Sequence, residues 1–218
     1  MRGMILAAGR GARMGVLTEK TPKPLLKAGK KYLIEYSIDA LVRANVRDIV
    51  INISWHADLI KQTLGDGSRY GARFYYSEEP EALETGGGIV KALPLLGDTP
   101  FIVLSSDIIT DYSLNNLPKE PDGLAHLVLV NNPVFHPRGD FNLHDKTLDY
   151  SEQNSFTFAN VGLYRPALFA GCEPQKFRLG DLLKKAVKKS EVTGEHYEGV
   201  WHNVGTPADL EQVHLGAS

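Results

Sequence analysis

Two positive side chains and a run of small residues near the amino terminus have the types and spacing of an anion-binding site. Gly9 and Gly11 lie in a short stretch that also carries Arg13, and Lys23 follows between two prolines. Backbone N–H groups of a glycine-rich loop can surround phosphate oxygens. A guanidinium binds phosphate through two parallel hydrogen bonds, whereas an ammonium acts as a point charge. The pattern therefore predicts a loop that binds the phosphates of a nucleotide.

The spacing of this loop differs from two common phosphate-binding motifs. Gly9-x-Gly11 lacks the third glycine of the dinucleotide-binding fingerprint, and no Gly-Lys-Ser or Gly-Lys-Thr triplet of a P-loop follows it. The structural alternative is that the glycines form a tight strand exit and that both cations are solvated. Arg13 and Lys23 together with the glycines, after a buried strand, favour the functional interpretation.

The elements that must position this loop have the pattern of parallel βαβ units. Apolar runs typical of buried strands alternate with segments of helical spacing. The predicted order is strand 2–8, helix 33–44, strand 48–53, helix 56–64, strand 73–76, helix 85–93 and strand 101–104. This alternation predicts an α/β fold, with a Rossmann-like mixed, mostly parallel sheet flanked by helices.

The order of elements changes after residue 122. We predict strand 125–130, a polar hairpin excursion over 138–158, strand 158–164, helix 179–189, strand 200–204 and a final helix capped by Thr206. The sequence has no evident linker or internal repeat, so we expect a single domain over residues 1–218.

The composition indicates a protein that handles small molecules. A net charge of -2 argues against a dedicated nucleic-acid binder. The sequence has no apolar window long enough to span a bilayer and no secretory-signal pattern. The single cysteine, Cys172, cannot form an internal disulfide. We therefore expect a cytoplasmic protein with no nucleic-acid or membrane partner.

The motifs resemble those of a known superfamily. Residues 6–13 (LAAGRGAR), followed by 21–24 (TPKP), resemble the signature of sugar-1-phosphate nucleotidyltransferases, and the similarity extends to 204–207 (VGTP). Within that superfamily, five segments look most like N-acetylmuramate-1-phosphate uridylyltransferases: 83–89, 92–98, 123–130, 139–141 and 190–197.

The resemblance implies a GT-A-like nucleotidyltransferase fold and a specific reaction. A nucleotidyl group would pass from a nucleoside triphosphate, with UTP expected, to a sugar 1-phosphate, with N-acetylmuramate 1-phosphate expected, releasing pyrophosphate. Residues 1–120 would bind the nucleotide and residues 121–218 the sugar. Guanylyl transfer to mannose 1-phosphate, thymidylyl transfer to glucose 1-phosphate, a short cytidylyltransferase and a catalytically silent nucleotide-sugar sensor remain open. We expect a monomer or a small homo-oligomer.

The resemblance also implies roles for individual residues. Arg13, Lys23 and Asp107 would be catalytic, and Asp107 and Asn203 would bind Mg²⁺ as the cofactor. The residues expected to contact the nucleotide are Ala8, Gly9, Gly11, Ala12, Arg13, Lys23, Thr85 and Gly86. The residues expected to contact the sugar are Ser105, Gly139, Asp140 and Asn160.

Two positions depart from the family pattern. Asn203 stands where the family has aspartate, which removes a negative charge and should weaken Mg²⁺ binding in the absence of nucleotide. Ser105 stands where the subfamily has asparagine, so it reaches a sugar hydroxyl less far. A structural role at a strand-to-turn junction remains open for Asn203, and a turn or helix cap remains open for Asp107.

Several other residues have plain structural interpretations. We expect Trp201 in the core and the lysines at 184, 185, 188 and 189 on a solvated helix face. Thr85 and the three glycines after it would let backbone approach a flat nucleobase, or would simply form a glycine-rich helix entry.

Overall fold

The computed structural model describes residues 1–216, and the side chains of residues 1–213. The strands are β1 (Arg2–Leu6), β2 (Lys27–Ala28), β3 (Lys31–Tyr32), β4 (Asp48–Ile53), β5 (Arg73–Glu78), β6 (Phe101–Ser105), β7 (Ile108–Thr110), β8 (Ala125–Asn131), β9 (Asn142–His144), β10 (Thr147–Asp149), β11 (Phe156–Tyr164), β12 (Val192–His196) and β13 (Trp201–Asn203). The α-helices are α1 (Leu33–Arg43), α2 (Ala57–Leu64), α3 (Glu84–Leu96), α4 (Leu179–Val187) and α5 (Pro207–Gly216).

A mixed, mostly parallel sheet forms the centre of the molecule, as predicted. Its nine strands lie in the order β5-β4-β1-β6-β11-β8-β12-β10-β9. β1 lies between β4 and β6 and is parallel to both. β11 runs antiparallel to β6 and β8, whereas β12 is parallel to β8. Since the chain leaves β1 towards one side and returns on the other with β6, the ends of these two strands form a topological switch point, where open α/β sheets bind ligands.

Helices cover both faces of the sheet. Successive strand residues point to opposite faces, so Ile5 packs in one buried cluster with Ile38 of α1 and Ile60 of α2. Met4 packs in the other buried cluster, which contains Ile89 of α3 and Leu183 of α4. The two clusters confirm the predicted arrangement of strands buried on both faces.

Most predicted elements are present with small shifts at their ends. The first strand ends at Leu6 rather than at residue 8, because the Ala7 N–H donates to the Asn52 side chain (2.8 Å) instead of to a neighbouring strand. The helix predicted at 56–64 begins one residue later, since His56 has a positive φ of 53°. The polar excursion contains the hairpin β9–β10. Residues 217 and 218 of the predicted domain lie outside the described residues.

Candidate active site

The loop after β1 forms part of the wall of a cavity of about 810 Å³. Gly11 has a φ of 67°, and a Cβ on it would lie 2.8 Å from the Lys23 Cβ, so only glycine fits here. A Cβ on Gly9 would meet nothing within 4 Å, which leaves this backbone open to the cavity. The predicted nucleotide residues that line this cavity are Ala8, Gly9, Gly11, Ala12, Arg13, Lys23 and Thr85.

Arg13 has an unpaired guanidinium. Its side chain is exposed and makes no ion pair or hydrogen bond with any side chain or backbone group in the described part of the chain. Gly205, between β13 and α5, leaves space for this guanidinium, since a Cβ there would lie 3.1 Å from both terminal nitrogens of Arg13. Two segments far apart in sequence thus position one free positive charge at the cavity.

Lys23 and Asp107, both predicted as catalytic, form an ion pair. The Lys23 ammonium donates to Oδ2 of Asp107, and Lys23 is only 8% exposed. A buried ammonium without a partner would be costly, and the carboxylate of Asp107 supplies that partner at the end of β6.

Asp107 and Asn203 lie side by side because β7 pairs antiparallel with β13. Asn203 is opposite Ile108 in this ladder, and the Val204 N–H donates to the Asp107 carbonyl (2.9 Å). The Oδ1 of Asn203 is buried and accepts no hydrogen bond from the described residues, which is costly for a polar atom.

The side-chain oxygens of this pair are of the kind that would hold a magnesium ion. Carboxylate and amide oxygens suit Mg²⁺, which takes one or two protein ligands and completes its shell with waters and substrate phosphates. Residues 1–213 hold no cluster of three or more His, Cys, Asp or Glu side chains that could bind a metal ion. Asp107 and Asn203 would offer such an ion two oxygen ligands, and substrate phosphates and waters would supply the others.

A second cavity, of about 600 Å³, adjoins the first. It has aromatic walls, including Phe135, Phe158 and Trp201, with a few polar groups between them, as is typical of small-molecule sites. The residues that line both cavities are Leu6, Arg13, Glu84, Thr85, Ser105 and Arg178. Ser105 and Arg13 therefore stand where a ligand in one cavity would meet a ligand in the other.

Asp140 and Asn160, predicted to contact the sugar, line this second cavity. Oδ2 of Asp140 accepts a hydrogen bond from the Phe158 N–H (2.9 Å), and His136 Nε2 lies 3.1 Å from Oδ1. Asn160 lies in a bulge of β11 with a φ of 57°, and such strained non-glycine backbone clusters at functional sites. Gly139 lies next to Asp140 but is not part of the cavity wall.

The glycines at the start of α3 are required by packing. A Cβ on Gly86 would lie 2.3 Å from the Phe177 ring, and a Cβ on Gly87 would lie 1.9 Å from the Gln175 carbonyl oxygen. Gly86 is buried beneath that ring and does not line either cavity. The glycine-rich helix entry thus has a structural reason of its own, while Thr85 faces both cavities.

A buried polar bridge joins the loop after β1 to the start of α3. Asn52 accepts from the Ala7 N–H (2.8 Å) and donates to Glu79 (2.7 Å), and Glu79 accepts from the Leu83 N–H (2.8 Å). Asn52 and Glu79 are 2% and 3% exposed. A Cβ on Gly88 would lie 2.7 Å from both side chains. The bridge was not predicted, although a polar residue in the apolar run of β4 was a signal for it.

Other cavity residues were also missed. Trp201 packs against the core as expected but also lines the second cavity. Lys184, expected on a solvated face, lines the same cavity. Tyr164 is fully buried, its hydroxyl has no partner among the described side chains, and burial raises its pKa, so the phenol stays protonated.

A mostly parallel α/β sheet with a glycine-containing loop after its first strand, at the switch point, is an arrangement found in proteins that bind nucleotides. A family model described as nucleotidyl transferase matches residues 2–130. The chain belongs to the nucleotidyl transferase family.

Relatives of named activity are similar over nearly the whole of this chain. An N-acetylmuramate alpha-1-phosphate uridylyltransferase from Neisseria meningitidis is 42% identical and covers 98% of this chain and 96% of its own length. Its counterpart from Caulobacter vibrioides is 34% identical, covering 94% and 91%. A mannose-1-phosphate guanyltransferase from Debaryomyces hansenii is 32% identical over 96% of this chain but only 62% of its own length.

Solved structures share the fold. A chain assigned as a glucose-1-phosphate thymidylyltransferase from Bacillus anthracis superposes with a TM-score of 0.89 at 21% identity, covering 100% of this chain and 95% of that one. The inositol-1-phosphate CTP transferase from T. maritima superposes with a TM-score of 0.83 at 18% identity, covering 100% and 97%. The GT-A-like architecture expected from the sequence is confirmed.

Proposed function

We propose that this chain transfers a uridylyl group from UTP to N-acetylmuramate 1-phosphate and releases pyrophosphate. The similarity to two uridylyltransferases of that activity, over more than nine tenths of each chain, supports both substrates. The observation that carries the reaction type is the junction of the two cavities, because Arg13 and Ser105 line both. One cavity would take the nucleotide and the other the sugar, as expected for residues 1–120 and 121–218.

The chemistry needs positioning more than proton transfer. An oxygen of the sugar phosphate attacks the α-phosphorus of UTP, a new P–O bond forms, and the bond to the bridging oxygen breaks, so that pyrophosphate leaves with the electron pair. The attacking phosphate is already an anion at neutral pH, and no general base is required. Catalysis then consists of holding two polyanions in line and stabilising the charge between them.

The free and paired cations suit that task. Arg13 has no partner to give up, so it would hold the departing pyrophosphate. Lys23 would turn from Asp107 to the α-phosphate and the sugar phosphate when both substrates are bound. Ala8, Gly9 and Thr85 would bind the base and ribose, whereas Gly86, also expected there, is buried against Phe177 and lines neither cavity.

The acceptor sugar would lie against the aromatic wall of the second cavity. Ser105 and Asn160 would bond its hydroxyls, and Asp140, already held by Phe158, would accept from one of them. Asp107 and Asn203 would hold Mg²⁺, which when bound supplies neutralisation of phosphate charge.

The cellular setting belongs to the same proposal. Within residues 1–213, no helix is long and apolar enough to cross a membrane. We propose a cytoplasmic enzyme of peptidoglycan recycling that acts as a monomer or a small homo-oligomer.

A substrate matrix tests the proposal. Four triphosphates (UTP, dTTP, GTP and CTP) would be combined with the 1-phosphates of N-acetylmuramate, N-acetylglucosamine, mannose and glucose, and pyrophosphate release would be measured. We expect the highest kcat/KM with UTP and N-acetylmuramate 1-phosphate. A maximum with GTP and mannose 1-phosphate would contradict the proposal and indicate a guanylyltransferase. Binding of nucleotide-sugar without turnover at any Mg²⁺ concentration would indicate a sensor.

A further inference from the structure

A second unpaired guanidinium stands where the two cavities meet. Arg178 lines both cavities, and its side chain has no carboxylate or other hydrogen-bonding partner among the described residues. Arg165, by contrast, donates to Glu120 at 2.8 Å. Among arginines, Arg13 and Arg178 alone within residues 1–213 line both cavities. An arginine left free at such a junction is available to a ligand.

The backbone on each side of Arg178 is held in place. The Leu179 N–H donates to the hydroxyl of Thr85 (2.9 Å), and the Phe177 carbonyl accepts from the Gly86 N–H (3.0 Å). The entry of α3 and the entry of α4 thus satisfy each other's free backbone groups. Because this backbone is already held, only the Arg178 side chain has to be ordered when a ligand binds.

Arg178 immediately precedes α4, and this helix lines the cavity proposed for the acceptor sugar. The phosphate loop, with Arg13 and Lys23, comes from the other end of the chain. The residues of α4 that line the second cavity but not the first are Leu179, Gly180, Asp181, Leu183 and Lys184. Lys184 lies about one and a half turns into the helix, and its ammonium lies 5.3 Å from the Tyr150 ring centre. Arg178 lines both cavities, but the α4 residues after it line only the second one, which associates its charge with the proposed sugar site.

N-acetylmuramate carries a group that needs such a charge. It differs from N-acetylglucosamine by an ether-linked lactic acid, whose carboxylate is ionised at neutral pH. Glu84, Asp140 and Asp181 line the same cavity and would repel that carboxylate, so a cation must outweigh them. Resting on the proposed function, we propose that Arg178 binds this carboxylate and makes the enzyme select an acidic acceptor sugar. Guanidinium and carboxylate match in a planar, two-bond geometry.

The test compares acceptors that differ only in this group. The acceptors are N-acetylmuramate 1-phosphate, its analogue with a lactamide in place of the lactyl carboxylate, and N-acetylglucosamine 1-phosphate. Each is combined with saturating UTP, and kcat/KM for the acceptor is obtained from pyrophosphate release. The variants are Arg178→Ala, Arg178→Lys and the control Lys185→Ala, which changes an exposed residue of the same helix that lines neither cavity. Thermal unfolding of each variant checks that it is folded.

We expect wild type to prefer the acid over its lactamide, and Arg178→Ala to lower kcat/KM for the acid by about tenfold to a hundredfold. For the two acceptors without a carboxylate, kcat/KM should be unchanged in Arg178→Ala, as should the KM for UTP. The kcat/KM of Arg178→Lys for the acid should lie between those of wild type and Arg178→Ala, and Lys185→Ala should match wild type. The wild-type comparison of acid with lactamide needs no variant, so a misfolded protein cannot obscure the result.

Three results would overturn the inference. An equal loss for all three acceptors would assign Arg178 to the shared phosphate, and an increase confined to the KM for UTP would assign it to the nucleotide. Equal use of acid and lactamide by wild type would show that the carboxylate is not recognised, while leaving nucleotidyl transfer intact. If wild type turned over none of these acceptors, the proposed function itself would fail, which is a different outcome.

Discussion

Asn203 is the residue at which this site departs most from a metal site built on two carboxylates. Its Oδ1 is buried without a hydrogen-bond donor, next to the Asp107 that Lys23 already neutralises. An amide oxygen offers a dipole where aspartate would offer a full charge. The free protein should therefore hold Mg²⁺ weakly and depend on substrate phosphates to complete the site.

Asn203→Asp should reverse that dependence. We expect the affinity for Mg²⁺ in the absence of nucleotide to rise by about tenfold, because one added charge at a shared ligand site is worth about 1.4 kcal/mol or more. Calorimetric titration with MgCl₂ measures it. Asn115→Asp, at an exposed turn position away from both cavities, is the matched control. Equal Mg²⁺ affinity in wild type and Asn203→Asp would mean that Asn203 serves only the strand-to-turn junction.

Among the elements, the start of α3 is packed too closely against its neighbours to admit side chains at its three glycines. A side chain at any of the three glycines would collide with a different group. It would meet an aromatic ring at Gly86, a backbone carbonyl at Gly87 and the buried polar bridge at Gly88. The contact of Gly87 with the Gln175 carbonyl is the most rigid of the three, because backbone on both sides would have to move.

Gly87→Ala should therefore destabilise the protein. We expect its free energy of unfolding to fall by about 3 kcal/mol, since the overlap cannot be relieved by turning a side chain. Gly180→Ala is the control, because a Cβ there meets nothing within 4 Å, and alanine in a helix is favoured over glycine by up to about 1 kcal/mol. Urea denaturation compares the two, and equal stability of both variants would contradict this packing account.

The same elements show what the sequence could predict. The phosphate loop and Asp107 follow buried strands directly, so local pattern sufficed to place them at one sheet edge. Arg178 and Lys184 could not be placed, because the direction of α4 depends on the Thr85 contact with Leu179, more than ninety residues apart in the chain. The bulge that turns Asn160 into the second cavity depends on pairing with β8 and likewise has no local signal.

At the scale of the whole molecule, the sheet order collects charges that are distant in sequence. Arg13 and Lys23 follow β1, and Asp107 follows β6, the strand beside it. Asn203 lies in β13, which pairs with β7. The same arrangement opens two adjoining cavities on one edge of the sheet. In the proposed reaction, the positive charges from the first loop hold two polyanions in line for displacement.

Steady-state pyrophosphate release by Arg13→Ala and Lys23→Ala, with UTP and N-acetylmuramate 1-phosphate, measures this role of the two cations. Lys20→Ala, in the same loop but outside both cavities, is the control, and thermal unfolding verifies that each variant is folded. We expect each of the first two variants to lose about a hundredfold to a thousandfold in kcat, as removal of one charge-stabilising donor does elsewhere, while Lys20→Ala keeps the wild-type rate. Folded Arg13→Ala and Lys23→Ala proteins that both release pyrophosphate at the wild-type rate would contradict it.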